Sequence, residues 1–488
     1  MQWRLHEVQS TALTGVCRKR TMIAMMNQSR KLGAVLAIYL VGLLIGGLYV
    51  GMVSPARTVI QAHFGIDGAT GIWMINIYTL FYAALIPVIG NVADRVGRRR
   101  VFAICVCLFC VGAVLCGLSQ SIGGFGLLLV GRVVQAAGAG GMIPVANAAI
   151  GTSFPPEKRG MALGLAAAVM GVSNVFGAAA GSAVVGLFGA ERWSAMFYLC
   201  IPFCMVLAIA AVTLLPDDRP SQDSDAARQP MDLVGSALFV AFVLLLLIGV
   251  KGIDATSLTE SIAQPSTWLP LLGAVAILPL FRFVERRAAS PVFNLEYLHS
   301  RPIVITMVVS FFIGCFIISL VLVPELAEFA MADPLGSGGY YVMAIGLTSF
   351  VTTPVGGKLI DKLGPKPVLM SGLAISIGGL LFLALVVMAH PTSAGLIAGL
   401  AIVGAGMGLA MGAPTNYMIL ENTSKDESTS AIATITLVRQ IGTSVAPALL
   451  IGIIGATPTM SGYCNMLLCV AFFNLCTFVT MLFYRSPR

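Results

Sequence analysis

The sequence consists of long apolar segments separated by short polar ones. A helix needs about 20 predominantly apolar residues to cross a bilayer, because the hydrocarbon core is about 30 Å thick. Fourteen segments reach this length, and none has the two-residue alternation of a membrane β-barrel. The predicted spans are 33–54, 70–93, 100–119, 124–150, 160–189, 193–215, 231–250, 268–284, 302–324, 338–360, 367–389, 394–419, 429–456 and 462–484. The pattern predicts an all-α polytopic membrane protein with 14 transmembrane helices.

The composition supports a membrane protein and excludes soluble and disordered classes. Hydrophobic residues make up 58% of the 488 residues, and charged residues only 10%, whereas soluble domains carry about 25% charged residues. Most of the 11 cysteines lie in or beside apolar runs, so we expect them to pack as small apolar side chains. No metal site, no cofactor and no nucleic-acid partner is expected. The expected partners are a small-molecule substrate and membrane lipids.

The positions of lysine and arginine predict the orientation. With a cytoplasmic N-terminus and 14 spans, all but five of the 29 basic residues fall in cytoplasmic loops, tails or adjoining span ends. The exceptions are Arg57, Arg192 and Lys251 in outer loops, and Arg132 and Arg439 within spans. Because cytoplasmic loops are enriched in lysine and arginine, we expect a multi-pass protein of the plasma membrane with both termini cytoplasmic.

Two polar breaks divide the chain into six, two and six spans. The predicted units are a cytoplasmic tail, a six-helix bundle, a linker with two additional helices, a second six-helix bundle and a cytoplasmic tail. Their boundaries are 1–32, 33–215, 216–301, 302–484 and 485–488.

A polar motif follows the second predicted helix of each six-helix unit. The first copy contains Gly90, Asp94, Arg95, Gly97, Arg98 and Arg99, and the weaker second copy contains Gly357, Asp361, Gly364 and Lys366. Glycine permits a tight turn, and the charged side chains can form bonds across a helix end that break when bundles tilt. A repeat at corresponding places is typical of a transporter built from two related bundles. An ordinary basic loop is the alternative interpretation.

These motifs resemble those of the major facilitator superfamily. The string from Gly90 resembles its loop motif, residues 129–138 resemble its fourth-helix motif, and residues 73–78 also match. The six-two-six organisation, with residues 437–442, is similar to the fourteen-helix drug:proton antiporter branch, the multidrug exporters. The resemblance implies two six-helix bundles around a central cavity, plus two additional helices. It also implies proton-driven export of lipophilic, often cationic compounds, including drugs or antibiotics. A facilitator or importer of a small metabolite, without proton antiport, is the alternative.

The chain departs from that branch at two positions. The fifth-helix motif has Ala178 where the branch has proline, and the outer part of the first helix has Tyr49 where the branch has aspartate. Both departures weaken the assignment as an antiporter more than the assignment as a transporter.

Two arginines within predicted spans are the leading candidates for the transport pathway. A guanidinium in a span costs at least about 2.5 kcal/mol, so it is expected to face a cavity or a partner. Gln135 lies one turn from Arg132 on the same helix face, and Arg439 with Gln440 is the counterpart in the second unit. Structural arginines bonded to backbone carbonyls are the alternative. The further pathway candidates are Tyr78, Asn174 and Gly177.

Proton coupling requires a group that titrates as access alternates, and the chain offers few such groups. Its four histidines lie in tails or loops. Buried carboxyl groups titrate nearer to neutral pH than exposed ones do, which makes Glu325 and Glu328, at the outer end of the ninth span, the coupling candidates. Two glutamates in a hydrated outer mouth are the alternative.

The interior carries no recognisable catalytic site. An integral-membrane enzyme needs histidines, carboxylates or an activated nucleophile gathered at one depth, and an ATP-driven pump needs a phosphate-binding loop. Neither pattern occurs, so no enzyme activity and no catalytic residue is expected. A membrane sensor or scaffold remains a further alternative.

Overall fold

The chain is helical throughout the part that the structure describes. The computed structural model describes residues 32–49, 52–53, 56–66, 68–71, 73–216, 232–253, 258–285, 297, 299–332, 339–411, 413–424, 427–454 and 459–485. No β-strand occurs among these residues, and the predicted all-α fold class is confirmed. Nearly all of both predicted tails lies outside the described residues, as do residues 217–231 and most of 286–298 in the linker unit.

Within the described residues, fourteen long helices correspond to the fourteen predicted spans. The first unit contains α1 Leu32–Tyr49, α2 Trp73–Val96, α3 Arg98–Leu118, α4 Gly124–Ser153, α5 Pro156–Phe188 and α6 Ala195–Leu214. The additional helices are α7 Leu233–Lys251 and α8 Pro265–Glu285. The second unit contains α9 Arg301–Ser319, α10 Gly339–Leu363, α11 Pro365–Phe382, α12 Ser393–Ala410, α13 Ser428–Ile454 and α14 Met460–Leu482.

Length and apolar composition alone assign a membrane span to 13 of these helices within the described residues. The remaining one is α5, a 33-residue helix that contains the fifth predicted span. Two helices extend through shorter pieces: α9 is followed by Val323–Met331, and α12 by Ala413–Glu421. The chain is a multi-pass membrane protein.

Each six-helix unit has its own apolar core. In the first unit α4 packs on α2 and α3, and α3 packs on α6. In the second unit α12 packs on α10 and α11, and α9 packs on α13 and α14. Phe102, Phe109 and Trp193 are fully buried in the first core, whereas Phe316 and Leu383 are fully buried in the second.

Small residues set the close approach of α3 and α4. A Cβ on Gly112 would lie 2.4 Å from the backbone nitrogen of Gln135, and a Cβ on Gly138 would lie 2.5 Å from the carbonyl oxygen of Cys105. Both neighbours are backbone atoms that cannot turn aside. Glycine at these positions therefore allows α4, which carries Arg132, to pack directly against α3.

The two units meet along two seams. One joins α2 to α13 and the other joins α5 to α10. Each seam pairs the second helix of one unit with the fifth helix of the other, so exchanging the units converts one seam into the other. This arrangement is the reciprocal pairing expected of two halves related by a two-fold axis along the membrane normal.

The two additional helices lie beside the seam between α2 and α13. Helices α7 and α8 pack on each other, and α7 contacts both α2 and α13. At the end of α7, the Nζ atom of Lys251 donates hydrogen bonds to Asn76 (3.1 Å) and Thr79 (3.0 Å) on α2. These hydrogen bonds attach the two additional helices to the first unit.

Candidate transport pathway and gate

The first motif carboxylate joins the two units. Asp94, near the end of α2, accepts hydrogen bonds from the backbone N–H groups of Thr429 (3.1 Å) and Ser430 (2.7 Å). These residues lie in the first turn of α13, where backbone N–H groups lack helical partners and the helix dipole favours negative charge. The Asp94 side chain is only 8% exposed, so the bonds are shielded from water.

The first motif arginine reinforces the same junction. Arg98 forms an ion pair with Asp94 at 3.3 Å. Its Nε atom donates to the Thr429 hydroxyl (2.9 Å) on α13, and its Nη1 atom donates to the Thr152 hydroxyl (2.9 Å) on α4. One guanidinium thus bonds to both units, as the planar fork of donors permits.

The second motif carboxylate makes the reciprocal contact. Asp361, near the end of α10, accepts hydrogen bonds from the backbone N–H groups of Gly160 (2.6 Å) and Met161 (2.9 Å) near the start of α5. Each motif aspartate therefore bonds to the fifth helix of the opposite unit. We call this pair of junctions the gate, and the end of the bundles where it lies the motif end.

Glycines allow the helices to close at the gate. A Cβ on Gly90 would lie 2.7 Å from the Cβ of Ala433, and a Cβ on Gly357 would lie 2.4 Å from the carbonyl oxygen of Gly160. Real Cβ atoms do not approach neighbours so closely. Both junctions are closely packed in this structure, and glycine at positions 90 and 357 permits this close approach.

Two further motif glycines precede helices, and Arg99 and Lys366 form hydrogen bonds within their own units. Gly97 and Gly364 have φ values of 102° and 81°, and each precedes a helix, a conformation that glycine adopts without strain. Arg99 donates to the carbonyl oxygen of Val212 on α6, and Lys366 donates to carbonyl oxygens beyond and at the end of α14.

Arg95 and Tyr297 link the gate to the residues just before α7 and α9. Arg95 is half-buried and lies near Asp232, which caps α7 by accepting from Gly235 N–H at 2.7 Å. The Tyr297 hydroxyl donates to Glu427 at 3.3 Å, beside the start of α13. Burial, and then the Glu427 carboxylate, raises the pKa of Tyr297, so this phenol keeps its proton and remains a donor.

The arginine of α4 is buried among uncharged groups. Arg132 is 1% exposed. Its Nε atom donates to the carbonyl oxygen of Met74 (3.1 Å), its Nη1 atom donates to Gln135 Oε1 (2.6 Å), and its Cζ atom lies 4.0 Å from the ring centre of Tyr78. The predicted pairing of Arg132 with Gln135 is present, together with a cation–π contact that the sequence did not reveal.

The tyrosines of α2 connect this arginine to its counterpart on α13. The rings of Tyr78 and Tyr82 are nearly parallel, with centres 6.2 Å apart, and Arg439 lies beside Tyr82. Arg439 and Gln440 are half-buried. Tyr82 was missed because nothing in its sequence position separates it from ordinary helix packing.

The remaining predicted pathway residues lie on α5. Gly177 is buried within this helix, whereas the side chain of Asn174 lies outside what the structure describes.

The two predicted coupling residues lie on the short helix Val323–Met331, where Glu325 is exposed and Glu328 is half-buried. Both carboxylates lie near the Tyr463 hydroxyl of α14, at the end of the bundles opposite the gate.

The gate partners on α13 and α5 were also missed by sequence reasoning. Thr429, Ser430, Gly160 and Met161 contribute backbone N–H groups, which every residue except proline possesses. The polar run 428–430 at the start of α13 is the one signal that pointed to this end of the helix.

Two six-helix bundles joined by reciprocal contacts at one end define a membrane transporter of the two-bundle class. Residues 23–447 match the Major Facilitator Superfamily, and the chain belongs to this superfamily. The uncharacterized MFS-type transporter YfiU of Bacillus subtilis is 30% identical over 426 residues, which cover 86% of this chain and 79% of YfiU. A multidrug resistance protein B homolog of Mycobacterium tuberculosis is 28% identical over 405 residues, which cover 82% of this chain and 72% of the homolog.

Solved structures share the fold. The human organic anion transporter MFSD10 superimposes with a TM-score of 0.67 at 13% identity, covering 92% of this chain and 99% of MFSD10. The proton:xylose symporter XylE superimposes with a TM-score of 0.66 at 12% identity, covering 94% of this chain and 97% of XylE. The predicted major facilitator fold is confirmed.

Proposed function

We propose that this transporter exports small lipophilic compounds, including drugs or antibiotics, across the plasma membrane by alternating access. The observation that carries the proposal is the reciprocal gate, in which Asp94 and Asp361 each bond to a helix of the opposite unit. Contacts that are confined to one end of two bundles can break as a set when the bundles rock. The gate thus provides the switch that alternating access requires.

The name of one relative supports export, and the name of another supports the alternative. The Mycobacterium tuberculosis relative is named a multidrug resistance protein B homolog, which favours efflux. The riboflavin transporter RibZ of Clostridioides difficile, 26% identical, favours the alternative of a metabolite carrier. The aromatic pair Tyr78 and Tyr82 suits flat apolar molecules of either kind.

The orientation proposed from lysine and arginine places the motif end in the cytoplasm. The closed gate then corresponds to an outward-facing state, from which the substrate leaves the cell. Return to the inward-facing state breaks four carboxylate–N–H bonds and exchanges them for bonds to water.

We further propose that protons drive the cycle through Glu325 and Glu328. Both carboxylates lie at the end opposite the gate, on the short helix that follows α9. In the proposed orientation this end faces the external medium, where protons enter an antiporter. Their position beside Tyr463 allows their protonation to act on α14 within the second unit.

Proteoliposomes with an imposed pH gradient test this coupling. We expect a pH gradient to drive substrate movement, and Glu325→Gln with Glu328→Gln to lower that gradient-driven movement by at least about tenfold, because a neutral amide cannot carry a proton. Glu260→Gln, which removes a carboxylate from the short helix before α8, is the matched control and should leave it unchanged. Transport that is indifferent to both the gradient and the double substitution would establish the facilitator instead.

A further inference from the structure

The membrane interior of this protein contains positive charge without negative charge. Arg132 lies within α4 and Arg439 near the middle of α13. All 11 described aspartates and glutamates lie in short connecting segments or near the ends of the long helices, and the remaining acidic residues fall outside the predicted spans apart from their edges. The two guanidiniums therefore have no carboxylate at their depth.

The described surroundings of the two arginines do not neutralise them. Arg132 contacts a carbonyl oxygen, an amide oxygen and an aromatic ring, all uncharged. Arg439 makes no hydrogen bond or ion pair with any residue in the described part of the chain. Because a guanidinium carries five N–H donors and is always protonated, both sites keep donors and charge to offer.

Two further polar groups beside Arg132 are unpaired. Within the described residues, the Nε2 amide of Gln135 and the hydroxyl of Tyr78 are buried and have no hydrogen-bond partner. Gln135 is 0% exposed and Tyr78 is 1% exposed. A buried polar group without a partner is costly, and here the free groups are an N–H donor and an O–H donor. Groups that donate hydrogen bonds beside a positive charge suit an anionic oxygen.

We propose that these residues form an anion site, and that the transported compound is a lipophilic organic anion such as an aromatic carboxylate. The inference rests on the proposed transport function and specifies the substrate class of the same pathway. Arg132 and Gln135 on α4 bind the acid group, and Arg439 on α13 supplies a second positive charge from the other unit, at the far end of the tyrosine pair. The parallel rings of Tyr78 and Tyr82, which lie between the two arginines, contact the aromatic body.

The geometry also explains how an anion couples to the rocking of the two units. Helices α2, α4 and α13 all contact one another, so the site lies on the seam between the units. An anion bound between the two units attracts the arginines of both, whereas in the empty site the two arginines repel each other through like charge. A cation adds a third positive charge and is excluded. Export of an anion is favoured by the negative interior of the cell.

Two xanthene dyes of similar size and opposite charge test this site. Fluorescein is an anion and rhodamine 123 is a cation. Purified protein in liposomes should transport fluorescein and not rhodamine 123, and a potassium gradient with valinomycin should change the direction of fluorescein movement when it is reversed.

The arginine on α13 gives the sharpest variant. Arg439→Gln should slow fluorescein transport by more than about tenfold, because it removes one of the two positive charges that attract the anion. Arg439→Lys keeps the charge and should restore most of the transport, which separates charge from correct folding. Arg192→Gln removes an exposed positive charge from an outer loop and is the matched control, with unchanged transport.

The possible results separate the anion site from the transport function. Transport of rhodamine 123 without fluorescein overturns the anion site and leaves the exporter proposal intact. Transport of neither dye also overturns the anion site. Opening of the gate is measured without any dye, so it tests the proposed transport cycle independently. Equal fluorescein rates in wild type, Arg439→Gln and Arg192→Gln would likewise contradict the proposal.

Discussion

Replacing Asp94 with asparagine lowers the transport rate by at least about tenfold, while the protein still inserts in the membrane. The carboxylate accepts two backbone N–H groups of α13 and pairs with Arg98. Hydrogen bonds to a charged group contribute about 1.5–3 kcal/mol, against about 0.5–1.5 kcal/mol for neutral ones. Asparagine loses the charge and one acceptor, so the closed gate is destabilised by more than about 1.4 kcal/mol, a factor of about ten in the equilibrium.

The measurement is the initial rate of substrate movement in proteoliposomes, normalised to the amount of reconstituted protein. Asp361→Asn should lower the transport rate less than Asp94→Asn does, because within the described residues Asp361 forms no ion pair as close as the one between Asp94 and Arg98. Glu157→Gln is the matched control, because Glu157 is an exposed carboxylate at the same end of the bundles. A normal rate in Asp94→Asn, or an equal loss in Glu157→Gln, would show that the aspartate is not part of a gate.

Adding one methyl group at Gly357 holds the gate open. The new Cβ would lie 2.4 Å from the carbonyl oxygen of Gly160 and 3.0 Å from the Cα of Met161, and both are backbone atoms. Overpacking of this kind costs about 1–3 kcal/mol, and the open gate avoids the clash entirely. We expect Gly357→Ala to slow transport by about five- to a hundredfold and to expose residues of the motif end to water.

The accessibility of a single engineered cysteine at the motif end to a membrane-impermeant maleimide provides the measurement. Gly378→Ala on α11 is the control, since a Cβ there would meet nothing within 4 Å. Alanine at 378 should also favour the helix slightly. Normal transport by Gly357→Ala would mean that α5 and α10 do not need to approach this closely in the working cycle.

The hydrophobic pattern predicted the fold because the bilayer thickness dictates the length of each span. It predicted the ends less well: the ninth span was expected to reach residue 324, whereas α9 ends at Ser319 and a 3-10 turn Leu320–Leu322 follows it. Hydropathy varies slowly along the chain, while a helix end depends on local hydrogen bonds and packing. The five-residue π-helical turn Leu383–Val387 that follows α11 likewise has no counterpart in the apolar pattern.

The sequence predicted which motif residues are special but not what they contact. The repeat marked Asp94 and Asp361 as equivalent, and the structure gives them equivalent partners. Those partners are backbone groups more than a hundred residues away in the chain, and no residue type signals them. Lys366 illustrates the converse, because its place in the repeat suggested a gate residue and its bonds are to the end of α14 in its own unit.

Interior arginines were recognisable from sequence because charge in an apolar span is rare. Their lack of neutralising partners was not recognisable, since a carboxylate on any neighbouring helix could have faced them. Only the packing of α2, α4 and α13 shows which side chains surround Arg132 and Arg439.

The central claim is that the motif end opens as the opposite end closes, and pairs of spin labels measure this most directly. Native cysteines are first replaced, and labels are then attached to cysteines at exposed positions. One pair joins the two units at the motif end, at Val96 and Leu363, and the other joins them at the opposite end, at Leu187 and Tyr340.

Distances measured by double electron–electron resonance in wild type and in Gly357→Ala provide the decisive comparison. The account predicts that the variant lengthens the Val96–Leu363 distance and shortens the Leu187–Tyr340 distance. Two distances that increase together, or that both stay unchanged in the variant, would contradict alternating access through this gate.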